Sequence, residues 1–162
     1  MKIKKIIIFA NLIFFFYLFN SQILGKEQLL KEGKLVLLEL APVDPRSLMQ
    51  GDYMRLNYAI VNDIRWDSIV PPRGYLMIKL DEKGIAKSLR IQKDIASANS
   101  DEIPVFYYHS DWSVNIGAES YFFQEGNADK FAKAKYGGIR VDKNGDNVLI
   151  GLFDEKLQLI KP

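Results

Sequence analysis

The chain of 162 residues contains no cysteine. This absence excludes disulfide bonds, thiolate metal ligands, a cysteine nucleophile and a lipid-modified N-terminal cysteine. Histidine is almost missing as well, because His109 is the only one, and a single histidine cannot build a multi-histidine metal site within one chain. We therefore predict no bound metal and no cofactor, and a fold held together by its hydrophobic core.

Acidic residues are missing before Glu27, whereas Lys2, Lys4 and Lys5 all precede the first apolar stretch. The whole chain has 22 Lys and Arg against 20 Asp and Glu, which gives a formal net charge of +2. Without the three N-terminal lysines, 19 basic side chains face 20 acidic ones, so the remainder carries −1. A nearly neutral domain lacks the basic surface that attracts phosphate backbones, and we predict no nucleic-acid binding.

A long uncharged stretch follows these lysines. Residues 6–19 have the length of a signal-peptide core, but the stretch continues without charge to Gly25. Twenty such residues can cross a membrane. Cleavage by signal peptidase requires small residues at the first and third positions before the cut. A cut after Gly25 would have Ile23 at the third position, and a cut after Ser21 would have Phe19 there, and both are too large. We therefore favour an uncleaved anchor at residues 1–25 over a removed signal.

The side of the membrane follows from charge. Basic residues flanking a membrane helix stay in the cytoplasm, so the N-terminal lysines predict a C-terminal domain outside it. A short helical connector at 26–34, closed by Gly33, leads to a single extracytoplasmic domain at 35–162.

Alternating apolar residues and turn residues at intervals of roughly ten predict a mainly β domain with minor α content. The architecture expected is an antiparallel sheet or a small barrel with one or two short covering helices. A helix at 127–136, with Asn127 as its N-cap, is the clearest of these. The predicted strands are 35–41, 53–61, 75–80, 85–91, 103–109, 114–123, 138–141 and 148–153.

The most informative stretch is 42–58, where Gly51, Asp52, Tyr53, Leu56 and Tyr58 spell GDYxxLxY. This string, with the preceding 42–48, the aromatic strand at 121–126 and the closing hairpin at 141–152, resembles the bacterial family of membrane-anchored proteins named after the motif. The resemblance covers most of 35–152. It implies a membrane-anchored extracytoplasmic domain of uncharacterised activity, and a polytopic membrane protein as partner.

Packing and turn formation explain most of the motif. Leu56 and Tyr58 fall on the apolar face of the predicted strand 53–61, together with Met54. Gly51 suits a turn that requires positive φ, and the carboxylate of Asp52 can accept backbone N–H groups there.

Tyr53 does not fit this explanation, because a regular strand places it opposite Leu56 and Tyr58. Asp44 and Arg46 are near enough in sequence to brace the loop by a charge-assisted pair. The alternative is that Asp44, Arg46, Asp52 and Tyr53 form a surface for a ligand or a partner.

A hydrolase is a further alternative. Ser47 stands shortly before Gly51-Asp52, as the serine does in signal-peptidase-like enzymes, and Lys79 would be the base. However, Leu48 breaks the expected Ser-Met pair, so we assign no catalytic residue. The segment 142–146 has oxygen-bearing side chains like the start of a calcium loop. However, the glycine at the sixth loop position and the glutamate at the twelfth are missing, and we predict a hairpin turn instead.

The sequence thus predicts a non-enzymatic module of unknown biochemical role, anchored in the bacterial inner membrane and binding or assisting an integral membrane partner. A signal-peptidase-like serine hydrolase and a small-ligand-binding module of the cell envelope remain the alternatives.

Overall fold

A computed structural model describes residues 2–41, 49–50, 53–62, 70–97, 99–110, 113–124 and 126–161. Helix α1 runs from Lys2 to Glu32, and its side chains from position 3 to 28 are all exposed. Within the described residues it is the one helix that is long and apolar enough to cross a membrane, with a mean hydropathy of 1.8. The predicted connector at 26–34 is not a separate helix, because it forms the last turns of α1.

The rest of the described chain is mainly antiparallel sheet, as predicted, and the sheets do not close into a barrel. Two single-turn helices, α2 (Ala59–Asn62) and α3 (Ala128–Phe131), and a 3₁₀ turn at Ile95–Ser97 accompany them. The strands are β1 (Lys34–Glu39), β2 (Met49–Gln50), β3 (Tyr53–Arg55), β4 (Arg73–Leu80), β5 (Ala86–Gln92), β6 (Ile103–Ser110), β7 (Ser113–Asn115), β8 (Ser120–Phe122), β9 (Tyr136–Val141) and β10 (Asn147–Phe153).

The described residues form three sheets that share one core. Their strand orders are β1-β9-β10, β2-β3-β8 and β5-β4-β6-β7. The core contains side chains from all three sheets and from both α2 and α3, with Phe131, Tyr107 and Ile139 fully buried. A smaller cluster of Leu37, Ile85 and Phe153 lies on the other face of β1.

The predicted strand 53–61 is wrong in its second half. Met54, Leu56, Tyr58 and Ile60 are all buried, as their alternation indicates. However, strand β3 ends at Arg55, because the chain changes partner within the next three residues. The N–H of Leu56 donates to the Glu119 carbonyl at 2.7 Å, and Tyr58 then forms a single bridge with Leu40 before α2 begins.

The predicted strand 114–123 is divided between two sheets. Gly117 has φ +82°, and the carboxylate of Glu119 accepts the backbone N–H groups of Ile116 and Gly117. These contacts form a tight turn that ends β7 and starts β8. A carboxylate two residues beyond a glycine was the available sequence signal for this turn.

The predicted helix 127–136 is only one turn long, and Asn127 makes no side-chain capping hydrogen bond. The predicted strand 138–141 is confirmed, but it begins two residues earlier, at Tyr136, as the central strand β9, which pairs with both β1 and β10. Pairing on both edges satisfies more backbone groups than a short helix could, since the end groups of such a helix stay unpaired. The hairpin turn predicted at 142–146 is confirmed, with the Asp142 carboxylate accepting the N–H groups of Asn144 and Asp146.

Candidate functional site

The described part of the family motif lies between two sheets. Leu56 and Tyr58 are 1% and 2% exposed. Strand β3 pairs through Tyr53, Met54 and Arg55 with β8, and the carbonyl of Asn57 accepts the N–H of Ala41 at 2.8 Å. The motif strand therefore connects the sheet β2-β3-β8 to the sheet β1-β9-β10.

Tyr58 makes the most specific contact of the motif. Its phenol donates a 2.5 Å hydrogen bond to the carbonyl of Ala118, and burial, aided by the charge of Glu119, raises the pKa of this tyrosine. The ring lies against Gly137 of β9, where an added Cβ would be 2.8 Å from the ring carbon Cε1. Only glycine at position 137 leaves room for the ring. Because burial raises the pKa of the Tyr58 phenol, it remains neutral and acts as a structural link.

The other predicted site residues lie mostly outside the described residues. Asp44, Arg46, Gly51 and Asp52 belong to that group, and of Tyr53 the backbone alone is described, paired with Phe122. The surface predicted from them stays a prediction.

A cleft of about 280 Å³, which we call the motif cleft, opens beside Leu56. Its floor is apolar, formed by Met54, Leu56 and Phe131, all of which are buried. Its rim carries three exposed cations, Arg55, Lys133 and Lys135, against the carboxylate of Glu39. This cationic rim was not predicted from the sequence, although Arg55 stands on the polar face of the predicted strand.

A larger cleft of about 1110 Å³, the junction cleft, lies between residues 22–34 and the β domain. Leu29 is the residue of α1 that is buried against the β domain, and its exposed fraction is 5%. The guanidinium of Arg140 on β9 donates to the carbonyl of Gly33 at 2.6 Å, and Lys26 reaches the carbonyl of Asn147 at 3.5 Å. These contacts hold the helix end against the domain without a flexible linker.

The domain side of the junction cleft includes Glu102, which forms a bidentate ion pair with Arg90 at 2.5 and 2.7 Å. Its carboxylate also accepts the backbone N–H and the amide of Asn99. The Arg90 hydrogen bonds, followed by the backbone hydrogen bond from Asn99, lower the pKa of Glu102 to about 2.

We expect this ion pair to make stability depend on pH. The folded pKa lies below the ordinary 4.5, so the stabilisation is complete above pH 4.5 and is lost as the pH falls toward 2. Glu102→Gln should lower the midpoint of thermal unfolding at pH 7, and the gap to the parent should close near pH 2. Glu82→Gln, at an exposed turn position, is the control and should change the midpoint of thermal unfolding neither at pH 7 nor near pH 2. A gap that persists at pH 2 would contradict this role of the ion pair.

The residues of the hydrolase alternative are not arranged for catalysis where they are described. Lys79 forms a 2.7 Å ion pair with Asp101, and this hydrogen bond raises the pKa of the lysine. A general base requires the opposite shift. Ser47 lies outside the described residues, and His109 pairs in the β6–β7 hairpin at the strand position predicted for it.

These observations define a class of protein: an antiparallel β domain fused directly to an apolar N-terminal helix. The profile of the GDYXXLXY protein family matches residues 15–152, and the chain belongs to this family. The matched region begins inside α1 and ends one residue before the end of β10. Comparison with curated proteins and with solved structures gave no significant match.

Proposed function

We propose that this protein is a non-enzymatic module, anchored in the bacterial inner membrane with its β domain outside the cytoplasm, that binds and assists an integral membrane partner. The observation that supports this proposal most strongly is the direct fusion of α1 to β1, with Gly33 alone between them. The uncharged residues 6–25 form about 30 Å of helix, which equals the hydrocarbon thickness of a bilayer. A domain joined so closely to such a helix stays beside the membrane surface.

The arrangement of charges supports the proposed orientation. Lys4 and Lys5 lie at the N-terminal end of the helix, on the side that retains basic residues. At the other end, Lys26 follows the uncharged stretch and lies at headgroup depth beside the junction cleft. With α1 in the membrane, that cleft lies beside the membrane surface, and its volume of about 1110 Å³ can take a protein segment.

The proposal can be tested by site-specific crosslinking in the cells that produce the protein. A photoreactive amino acid at Lys143, on the rim of the junction cleft, should give an adduct with one integral membrane protein. The matched control is Lys156, which is equally exposed but lies in the turn at the far end of β10. Absence of a membrane-protein adduct from position 143, or equal adducts from both positions, would contradict the proposal.

A second candidate function is the binding of a small acidic ligand in the motif cleft. The cationic rim of Arg55, Lys133 and Lys135 above an apolar floor supports it. We expect succinate, used as a dianionic test ligand, to shift the amide NMR signals of residues 54–57 and 131–135. Lys133→Ala/Lys135→Ala should weaken this binding about fivefold or more, since each cation contributes to the attraction. Lys156→Ala/Lys161→Ala is the control, and equal weakening by both pairs would exclude the motif cleft.

A further inference from the structure

Besides the phenol of Tyr17, four side chains with an amide or an aliphatic hydroxyl interrupt the uncharged part of α1, and they differ in hydrogen bonding. The amide of Asn20 donates to the carbonyl of Phe16 at 2.9 Å, and the hydroxyl of Ser21 donates to that of Leu18 at 2.8 Å. The amides of Asn11 and Gln22 have no hydrogen bond to any residue that the structure describes. Two of the four are thus satisfied within the helix, and two are not.

The two unpaired amides lie on one face of the helix. Leu29, the residue buried against the β domain, follows Asn11 by eighteen positions, which is about five full turns. Gln22 precedes Leu29 by seven positions, about two turns, and itself lines the junction cleft. Asn20 precedes Leu29 by nine positions, about two and a half turns, and lies on the opposite side. The unpaired amides therefore lie beneath the domain, and Asn20 points away from it.

The depth of Asn11 makes its lack of a partner costly. It stands five residues past the start of the uncharged stretch, about 7–8 Å into the hydrocarbon layer. Lipid chains offer neither a donor nor an acceptor, and water does not reach this depth. A polar side chain on a neighbouring transmembrane helix supplies both.

We propose that the Asn11 face of α1, formed by Asn11, Phe15, Leu18 and Gln22, binds a transmembrane helix of another membrane protein. This inference rests on the proposed function and identifies the contact. The bound helix presents a polar side chain opposite Asn11, and its outer end enters the junction cleft beside Gln22 and Gly25.

A second copy of the chain does not fit this face. Two helices that pack together have axes about 8–10 Å apart. The β domain of each copy stands over its own Asn11 face, because Leu29 docks on that side. Two copies joined through these faces would place both domains in the same space. The partner must therefore carry only a short segment outside the membrane above this helix.

The test uses the full chain in its own cells, with a photoreactive phenylalanine analogue at one of four positions. Phe15 and Leu18 lie within about 40° of Asn11 around the helix, whereas Phe16 and Ile13 lie about 140–160° away at similar depth. We expect an adduct with one membrane protein from positions 15 and 18 and none from 16 and 13. Asn11→Leu should reduce this adduct about three- to tenfold, and the matched variant Asn20→Leu should leave it unchanged.

Three outcomes would overturn the inference. Adducts with lipid alone at all four positions would show that no helix binds this face. An adduct of twice the mass of the chain would identify a second copy. Equal partner adducts from both faces would remove the role of Asn11. If position 143 crosslinks to a membrane protein and positions 15 and 18 do not, this inference fails while the proposed function stands.

Discussion

Tyr58→Ala should lower the free energy of unfolding by about 3–5 kcal/mol, the range for removal of a buried aromatic side chain. The ring is 2% exposed, fills the space above Gly137 and connects two sheets through the Ala118 carbonyl. Tyr58→Phe keeps the ring and removes only the hydrogen bond, so it should cost about 1–2 kcal/mol. The measurement is denaturant unfolding of the full chain in detergent.

A double-mutant cycle tests the contact between Tyr58 and Gly137 directly. Gly137→Ala alone should cost about 1–3 kcal/mol, since the new Cβ would meet the ring at 2.8 Å. In the Tyr58→Ala background the ring is gone, and most of this cost should disappear. Strictly additive effects of the two substitutions would show that the Tyr58 ring is not the reason for glycine at position 137. Tyr108→Ala, at a tyrosine that is 43% exposed, serves as the surface control and should cost about 1 kcal/mol or less.

Phe131→Ala should have an effect of similar size, about 3–5 kcal/mol. Phe131 is fully buried, and its ring centroid lies 5.1 Å from that of Tyr121 and 5.2 Å from that of Phe123. It also holds the single turn of α3 against the floor of the motif cleft. Removal of the ring should therefore weaken succinate binding as well as stability, if the motif cleft binds anions.

The matched control is Phe122→Ala, the same substitution at a ring that is 73% exposed. It should change the free energy of unfolding by only about 1 kcal/mol or less, the contribution of a cross-strand side-chain contact. Comparable losses from the two variants would contradict the assignment of Phe131, and not Phe122, to the core.

The regular hairpins could be predicted from the sequence, because local turn chemistry and alternation agree there. The segment Asp142 to Gly145 sets the turn and the register of the first three residue pairs of β9 and β10, up to an irregularity between Leu149 and Gly151. The buried face of Met54, Leu56 and Tyr58 was also predictable from period-two alternation. Burial follows from the pattern of side chains, which does not depend on the partner strand.

The changes of partner could not be predicted in this way. Alternation continues through Tyr58, but the backbone leaves the β8 segment after Leu56, and Tyr58 bridges to Leu40, the residue that follows β1. This change depends on how two sheets cross. Likewise, β9 is a central strand and begins at Tyr136, inside the predicted helix, because the distant strand β1 pairs with the edge that its hairpin partner β10 leaves open. Such long-range pairing overrides local helix preference.

Some of the site residues could likewise be predicted from the sequence, and others could not. The sequence indicates which motif residues are core, but the cationic rim requires Lys133 and Lys135 to come beside Arg55, some eighty positions earlier in the chain. Likewise, the sequence alone does not show that Asn11 lies on the side of α1 beneath the domain, because this follows from the burial of Leu29 against the domain. Neither relation is visible from local spacing alone.

The orientation of the chain across the membrane is the central claim, and the absence of cysteine makes it directly testable. Lys4→Cys and Asn144→Cys each introduce one thiol, at the N-terminal end of α1 and at the exposed β9–β10 turn. In sealed spheroplasts, a membrane-impermeant maleimide should label position 144 at once and position 4 only after the membrane is permeabilised. Labelling of position 4 without permeabilisation, or protection of position 144, would contradict the account.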